Sequence, residues 1–560
     1  MRRFLAAVAL LTAMTSGLRA ADFETATEAV ANMRVGWNLG NTLDAHTGIT
    51  SGTPTQWETC WGQPVTKPEL MWMMKDAGFG AIRVPVTWYR HMDSSGKVDA
   101  AWMKRVHEVV DYVTGSGMYC ILNVHHDTGT DGWLVADEAN YNKNKSRFEY
   151  LWKQIAEEFR DYDERLLFES YNEMLDSKKS WCFASFASAN NYDATIARSA
   201  YNAINSYAQS FVSTVRATGG NNAQRNLVVN TYAACSGSGT WNSHLTDPLA
   251  EMKLPADNVS HHIIFQVHSY LDVTNVSNVK REIDDMIGKL NKHLVAKGAP
   301  VIIGEWGTSN VDASVTDYDA RRDNVLAFAR YFVEQTKANG IGTFYWMGLS
   351  NGPARSLPAF SQPDLAEAIL QAWYGNDYHP VLLTEDDYEI VYVVEYSSQW
   401  AEMNLCNKEL SPSAYKGIKV EFAEVPAAGN LQVKVYGAAD DKGQYEPVPG
   451  TSATFTVNFN ASALGNKVRR VTLQYNRTAA YKAKVRSVTL LKADGTEEKL
   501  TPSVFWGCQL SMESVAKPSG VTAIETANKG DGHIYNLNGQ RVETPRRGIY
   551  IVNGRKVLVR

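Results

Sequence analysis

Short apolar runs alternate with helix-length amphipathic stretches over the first two thirds of this 560-residue chain. Each run ends in polar residues, as strands do where they reach the mouth of a pocket. The predicted strands are Met33–Asn38, Ala81–Pro85, Tyr119–His125, Leu166–Asn172, Leu227–Thr231, Ile263–His268, Val301–Glu305 and Thr343–Trp346. Eight strand–helix units in succession predict a (β/α)8 TIM barrel. An open doubly wound sheet is the alternative, but no GxGxxG motif follows the first strand.

The helical rhythm stops around 375–387, and a different pattern follows. β-like runs separated by Gly, Asn and Pro turns predict an all-β sandwich over 388–514. These runs are Tyr388–Tyr396, Ile418–Phe422, Leu431–Tyr436, Ala453–Phe459, Val468–Tyr475 and Val485–Leu491. Two Asn-Gly turns in 521–560 predict a short tail of two β-hairpins.

The first 20 residues are typical of a signal peptide. Arg2 and Arg3 precede the apolar run Phe4–Leu11, and small residues lead to a cleavage site before Ala21. We therefore expect a secreted protein without a membrane span, with its barrel over 22–378. Cys60 and Cys182 lie in loop-like segments and are a candidate disulfide pair, whereas Cys120 lies in an apolar run and is expected to be a buried thiol.

Charge and composition narrow the class of ligand. A formal net charge of −5 gives no basic footprint for nucleic acid. No Cys/His spacing suits zinc, so we expect neither metal nor other cofactor. The 15 Trp and 27 Tyr favour flat, weakly charged ligands such as sugars, although large aromatic cores would give the same count.

Functional side chains gather at the carboxyl ends of the predicted strands, which face one pocket in such a barrel. Two of them are carboxylates, Glu173 and Glu305. Their expected neighbours are Arg83, His125, Asn172, His268, Tyr270 and Trp346. Glycosidic bond cleavage needs one protonated carboxyl and one ionised carboxylate, about 5 Å apart when a covalent intermediate forms. Either Glu alone is as well explained as a solvated loop-end residue; two at matching strand ends favour a catalytic pair.

Neighbouring residues suggest which carboxyl does which task. Hydrogen bonds from Arg83 and Tyr270 would favour the charged form of Glu305, which suits a nucleophile. A charged partner would raise the pKa of Glu173, which suits an acid/base. We expect one of His125 and His126 to line the pocket and the other to be structural. His261 and His262 precede their strand and so are predicted to be structural.

Tryptophans divide between core and candidate sugar platforms. Trp102 and Trp152 lie on helical apolar stripes and are predicted to be core residues. Others lie in loops or at strand ends, where packing explains any single one better than a platform does, but several of the group are expected to stack on sugar rings. These are Trp57, Trp61, Trp133, Trp181, Trp241 and Trp306.

Several separated segments within about 30–375 resemble glycoside hydrolase family 5, and specifically its branch of endoglucanases, xyloglucanases and lichenases. The segments are Gly36–Ala45, Trp61–Pro64, Ile82–Trp88, Asn123–Asp127, Phe168–Glu173, Val267–Tyr270 and Ile303–Gly307. Gln63 replaces the Asn usual in that branch. Met174 stands where many members carry Pro after the acid/base, which affects the contacts to sugars beyond the cleavage point.

The resemblance implies a retaining endo-β-1,4-glucanase with Glu173 as acid/base and Glu305 as nucleophile. It implies that Asn172 binds the sugar 2-hydroxyl and that Trp346 lies under the sugar at the cleavage point. Arg83, His125, His268 and Tyr270 match the family's other pocket residues. The expected partner is a β-glucan polysaccharide, bound by a monomer.

The C-terminal segments carry their own resemblances. Val488–Gly495 resembles a galactose-binding-like β-sandwich of the carbohydrate-binding kind. Trp400, Tyr475, Tyr481 and Trp506 would be its binding platform, or they pack within the sandwich. The segment 534–557 resembles the sorting tails of exported Gram-negative proteins, which implies an extracellular or cell-surface location.

Three alternatives stay open. Within the same mechanism, the substrate is xyloglucan, mixed-linkage glucan or mannan. From another class, the chain is a non-catalytic carbohydrate-binding surface protein, which the two intact carboxylates disfavour. A metal-dependent barrel enzyme would need three or more clustered carboxylates, which the predicted strand ends lack.

Overall fold

A computed structural model describes most of the chain as two units, divided between Leu382 and Leu383. The described residues are 23–47, 49, 51–179, 193–237, 247–309, 318–517, 534–535, 541–542, 548–552 and 555–559. The predicted signal peptide lies outside them, as do Trp181, Cys182 and Trp241. Cys60 carries a free thiol, and so does Cys120, which is buried as predicted. Every helix in the described ranges falls short of the length and apolarity that a bilayer crossing requires.

The first unit is a closed barrel of eight parallel strands in the order β1 to β8. The strands are β1 Val35–Asn38, β2 Ala81–Val84, β3 Tyr119–Asn123, β4 Leu166–Glu169, β5 Leu227–Cys235, β6 Ile263–Leu271, β7 Val301–Thr308 and β8 Gly342–Tyr345. The register Val35↔Thr343 between β1 and β8 closes the cylinder. The predicted TIM barrel is confirmed.

Helices surround the barrel and bury the apolar stripes that the sequence shows. They are α1 Ala26–Met33, α2 Pro54–Glu58, α3 Pro68–Ala77, α4 Ala100–Gly115, α5 Glu138–Glu158, α6 Ala194–Ala217, α7 Asp247–Glu251, α8 Val276–His293, α9 Tyr318–Ala338, α10 Pro353–Ser356 and α11 Pro363–Tyr374. Trp102 on α4 and Trp152 on α5 are fully buried, which confirms both as core residues. The Asp99 side chain accepts a hydrogen bond from the Trp102 N–H and so fixes the start of α4.

The inside of the barrel is layered by the two-residue period of its strands. A lower layer is apolar and packs against α1. It contains Ala81, Ile121, Leu167, Val228, Ile264, Ile302 and Phe344. Two residues further along each strand the side chains point inward again. Those positions are Arg83, Asn123, Glu169, Asn230, Gln266 and Gly304, so a polar layer lies on the apolar one.

The second unit contains two antiparallel sheets of a sandwich and a small separate sheet. One sheet has the order β13-β12-β15-β10-β18, and the other the order β14-β11-β16-β9-β19, with β17 paired to β16. Their strands are β9 Tyr388–Tyr396, β10 Glu402–Cys406, β11 Tyr415–Phe422, β12 Leu431–Tyr436, β13 Gly443–Pro447, β14 Thr454–Asn458, β15 Arg470–Tyr475, β16 Tyr481–Lys492, β17 Glu497–Leu500, β18 Ser503–Trp506 and β19 Cys508–Ala516. A short helix, α12 Ala461–Leu464, interrupts them.

Five of these strands, β10, β13 and β17 to β19, are not predicted from the sequence. They are short or carry polar residues at alternate positions, so no apolar run marks them. The sandwich itself is confirmed, with a core of alternating residues such as Val433, Val435, Leu473 and Leu490.

The tail forms two hairpins, as predicted, but they join into one four-stranded sheet. The strands are β20 Ile534–Tyr535, β21 Arg541–Val542, β22 Gly548–Val552 and β23 Arg555–Val559, in the order β21-β20-β22-β23. Pairing of β20 with β22 connects the hairpins. Three or more strands are more stable than an isolated hairpin.

The lower layer of the barrel gives a first prediction. A Cβ added at Gly36 would lie 2.2 Å from the Phe344 ring, so Gly36→Ala should destabilise the fold by about 1–3 kcal/mol. Gly288 lies in α8 with open space around it, so Gly288→Ala should stabilise by roughly 0.5–1 kcal/mol. Urea unfolding of both variants measures the difference; equal effects would contradict the packing described.

Candidate active site

The Arg83 guanidinium is the centre of the polar layer and is fully buried. Its Nε and Nη2 donate to the two carboxylate oxygens of Glu169 at 2.6 and 2.7 Å. Nη1 donates to Glu305 Oε1 at 2.7 Å and to Asn38 Oδ1 at 2.9 Å, and Nη2 also donates to Asn172 Oδ1 at 2.8 Å. One side chain therefore orients partners from β1, β4, β7 and the loop after β4.

A β-bulge turns Glu305 into the pocket. Strand alternation from Ile302, which faces inward, would make Gly304 inward and Glu305 outward. The pairing of β6 with β7 shifts by one residue at Gly304, so that Glu305 stands opposite His268. Bulges re-aim side chains in this way next to active sites. A Cβ at Gly304 would lie 2.3 Å from Gln266 Cδ, so glycine is also required there for space.

The second carboxyl, Glu173, lies just beyond β4 and meets Glu305 across the pocket. One carboxylate oxygen of Glu173, one of Glu305 and a ring nitrogen of His268 all lie within 4.8 Å of one another. His268 Nδ1 is 2.7 Å from Glu173 Oε1 and 3.5 Å from Glu305 Oε2. The Tyr270 hydroxyl donates to Glu305 Oε2 at 2.7 Å.

The two carboxyls differ in their electrostatic surroundings. Burial raises the pKa of Glu305 to about 7, although Arg83 and the Tyr270 hydrogen bond act to lower it. The pKa of Glu173 lies well above its usual value, because burial is joined by the negative charge of Glu305 and only Arg83 opposes them. The expected contacts to Glu305 are thus present, but burial outweighs them, which corrects the expectation of a favoured charged form. Glu173 is the one that keeps its proton more strongly.

Both histidines of the pocket are neutral. Burial lowers the pKa of His268 well below its usual value, and the Arg83 charge adds to this. Burial also lowers the pKa of His125, whose Nε2 lies 4.0 Å from Glu305 Oε1. A neutral His268 can donate one hydrogen bond from Nδ1 to Glu173 while its other nitrogen accepts.

Trp346 forms a flat wall of the pocket. Its indole lies parallel to the His125 ring, with centroids 5.9 Å apart and an interplanar angle of 4°. Gly40 makes room for it, since a Cβ there would lie 2.8 Å from the indole. The surface is half-buried and suited to stacking on the apolar face of a sugar ring.

His126 lies beside this wall in an aromatic cluster. Its ring is 4.6 Å from His46 and 5.4 Å from Trp61, centroid to centroid, and burial lowers its pKa to about 3. His261 and His262 lie at the opposite end of the barrel, where Ala26 N–H donates to the His261 carbonyl.

Two of the candidate sugar platforms, in α2 and β7, are core residues. Trp57 and Trp306 are buried, and the Trp306 indole stacks on Phe332 at 4.4 Å. These two are therefore packing residues and not sugar platforms. Trp61 and Trp133 are half-buried, and Trp133 Nε1 donates to Asp127.

The structure brings all eight predicted site residues to one end of the barrel and adds others that the sequence argument missed. Glu169 is a third carboxylate at the strand ends, and Asn38 and Asn123 also contact the Arg83–Glu169 pair. Strand alternation could have identified Glu169 as a pocket residue, because it lies two residues after Leu167, which faces the inside of the barrel. Arg83 lies between Glu169 and Glu305 and forms an ion pair with each of them.

A barrel with paired carboxyls and a flat aromatic wall at the carboxyl ends of its strands defines a glycoside hydrolase. Residues 46–352 match the cellulase family, glycosyl hydrolase family 5. The chain belongs to this family.

Known relatives agree with this assignment. Endoglucanase B of Neocallimastix patriciarum is 34% identical over 361 residues, covering 61% of this chain and 69% of that protein. The structure of a GH5-4 broad specificity endoglucanase from an uncultured bacterium is 61% identical, with a TM-score of 0.62 over 64% of this chain and 98% of that one. A family 5 enzyme from Prevotella bryantii B14, solved as a mutant with a xyloglucan tetradecasaccharide, is 41% identical, with a TM-score of 0.56 over 63% of this chain and 99% of that one.

The buried charges around Arg83 give a second prediction. Glu169→Ala leaves part of the buried guanidinium without a partner and should cost about 3–5 kcal/mol of the free energy of unfolding. Glu108 also pairs with an arginine, at 3.0 Å from Arg105, but is 44% exposed, so Glu108→Ala should cost no more than about 1 kcal/mol. Chemical denaturation compares the two, and a similar small loss in both would refute the central role given to Arg83.

Proposed function

We propose that this glycoside hydrolase is a retaining endo-β-1,4-glucanase that acts on β-glucans. The observation that carries the proposal is the close approach of Glu173 and Glu305, since one carboxylate oxygen of each lies within 4.8 Å of the other. Retaining enzymes hold their carboxyls about 5–5.5 Å apart, whereas inverting enzymes need about 6.5–9.5 Å to admit a water molecule.

In the first step, a Glu305 oxygen attacks the anomeric carbon as the bond to the leaving oxygen breaks. Glu173 gives its proton to the leaving glycosidic oxygen, so the released chain leaves as an alcohol. A glycosyl ester forms on Glu305. Arg83 and Tyr270 hold Glu305 by hydrogen bonds to separate oxygens, which fixes the direction of attack.

In the second step, Glu173 has lost its proton and acts as a base on water. The water oxygen attacks the anomeric carbon, its proton passes to Glu173, and the ester bond to Glu305 breaks. His268 lies 2.7 Å from Glu173 and holds that carboxyl on the pocket side. Both starting protonation states are thereby restored.

The choice of β-glucan rests on the relatives, whose names describe endoglucanases. Xyloglucan is the second candidate, because the Prevotella bryantii enzyme, 41% identical, was solved with a xyloglucan oligosaccharide. The predicted signal peptide and sorting tail further support a proposal that the enzyme is exported and acts outside the cell or at its surface.

A substrate screen tests this function. The purified chain should release reducing ends from carboxymethyl-cellulose, barley glucan and xyloglucan, and much less from mannan. Glu305→Gln should lower turnover by at least about 10⁴-fold, because the amide cannot form the ester. Circular dichroism should show an intact fold; turnover retained by Glu305→Gln would place the nucleophile elsewhere.

The hydrogen bond from Tyr270 makes a prediction about pH. This bond lowers the pKa of Glu305, so Tyr270→Phe should raise that pKa. Because the attacking form is ionised, the acid limb of the kcat profile should then move to higher pH. Tyr119→Phe is the matched control, since its hydroxyl donates to Glu24 at 2.6 Å outside the active site. An unmoved acid limb in Tyr270→Phe would contradict the role of this contact.

A further inference from the structure

The five-stranded sheet of the sandwich carries an unusual outward face. Val433, Val435, Val471 and Leu473 point into the core, so the alternate residues point away from it. These alternate residues are Glu402, Asn404, Gln432, Lys434, Thr472 and Gln474, which we name the outer polar face. Polar side chains on such a face are normally exposed. Here Thr472 is 0% exposed, Glu402 and Gln474 are 5% exposed, and Asn404 is 7% exposed.

Glu402 organises the middle of this face. It accepts hydrogen bonds from Tyr436 at 2.6 Å, Thr472 at 2.8 Å and Gln474 at 2.7 Å, and Lys434 Nζ lies 3.0 Å from its Oε1. Such a network is already satisfied and holds its members in one arrangement. Because Lys434 compensates the charge of Glu402, the middle of the face suits a neutral ligand.

One buried atom of the face has no partner within the described residues. The Asn404 amide nitrogen donates to Ser503 Oγ and to the Val504 carbonyl, each at 3.3 Å. A carbonyl only accepts, so this contact fixes the orientation of the amide. Asn404 Oδ1 is left as a buried acceptor without a hydrogen bond. An unsatisfied buried polar atom costs stability, and a ligand donor would remove that cost.

Exposed aromatic side chains lie on both sides of the polar residues. Trp506 on β18 is the cross-strand partner of Glu402 and is 55% exposed. Tyr445 on β13 is the partner of Lys434 and is 56% exposed. Partners in a regular ladder share a face of the sheet, so the Tyr445 ring lies on the outer polar face with Lys434. The β10–β18 ladder shifts register between Glu402 and Met403, and the pairing with Glu402 places Trp506 at the edge of this face.

We propose that the outer polar face binds a segment of β-1,4-linked glucan. Each glucose unit offers apolar ring faces and a rim of neutral hydroxyls. Trp506 and Tyr445 would stack on the ring faces. Asn404 Oδ1 is buried, so a sugar hydroxyl would donate to it once the side chains that cover it move aside. The choice of glucan as the ligand rests on the proposed function of the barrel.

This site differs from the platform expected from the sequence. Tyr475 is buried and stacks between Tyr396 and Tyr481, with an interplanar angle of 3° to Tyr481. Its hydroxyl donates to the Ala479 carbonyl. Tyr475 and Tyr481 therefore pack within the sandwich, and of the four expected residues Trp506 alone is placed on the outer polar face by its strand pairing.

Calorimetry with cellohexaose tests the proposal in the full-length Glu305→Gln chain, which cannot consume the ligand. Adding Trp506→Ala should weaken one binding event by at least about tenfold and leave the event in the barrel unchanged. Asn404→Ala should weaken the same event by several-fold. The matched control is Met512→Ala, because Met512 is 69% exposed on the other sheet; it should change neither event.

Thermal unfolding of each variant shows whether the sandwich stays folded, and Tyr445→Ala gives a second test should Asn404→Ala unfold. A single binding event that Trp506→Ala and Tyr445→Ala leave unchanged would overturn the proposal. Turnover of cellohexaose by the parent chain is measured alongside. If the parent chain does not hydrolyse cellohexaose but the face binds it, the proposed hydrolysis is refuted and the site is supported. If the parent chain hydrolyses cellohexaose but the face does not bind it, the site alone is refuted.

Discussion

The shared guanidinium of Arg83 is the interaction on which the rest of the active site depends. A buried charge is expensive unless it is paired and its hydrogen bonds are satisfied. Arg83 meets both conditions only by contacting Glu169, Glu305, Asn38 and Asn172 at once. Because an arginine remains charged, this group fixes the ends of three strands and the following loop in one geometry. The nucleophile is therefore positioned by the same contacts that keep the arginine stable.

Glu169 and Glu305 share the positive charge of Arg83. Glu169 takes two of the guanidinium hydrogen bonds and leaves one for Glu305, which explains why burial can raise the pKa of Glu305 to about 7 despite a neighbouring arginine. A carboxylate that is less strongly stabilised is a better nucleophile. Glu173 lacks a direct contact to Arg83 among the described hydrogen bonds, so its pKa is raised further and it can serve as the proton donor.

The sequence predicts the barrel well because local pattern and global fold agree there. Each strand is an apolar run bounded by polar residues, and each helix shows a buried stripe, such as that of Trp102 and Val106. The eight predicted site residues were found from strand ends and from motifs of the family. Glu169 was missed because the predicted strand runs on to Asn172 and places it in the strand interior, whereas β4 ends at Glu169.

Features that depend on pairing between strands could not be predicted from the sequence. The bulge at Gly304 turns Glu305 inward, yet simple alternation would place that residue outside the barrel. In the sandwich, β10 contains Glu402 and Asn404, whose polar character hides a strand that the structure buries. The sequence does not show whether Tyr475 is buried or exposed, because an aromatic residue suits either a core or a sugar platform.

The stereochemistry of the first product tests the central claim most directly. Proton NMR of a cello-oligosaccharide digest, recorded before mutarotation, distinguishes the two anomers of the new reducing end. Paired carboxyls held as closely as Glu173 and Glu305 predict that the β-anomer appears first and the α-anomer grows in later. An α-anomer as the initial product would show that water attacks directly, and would contradict the account of Glu305 as a nucleophile.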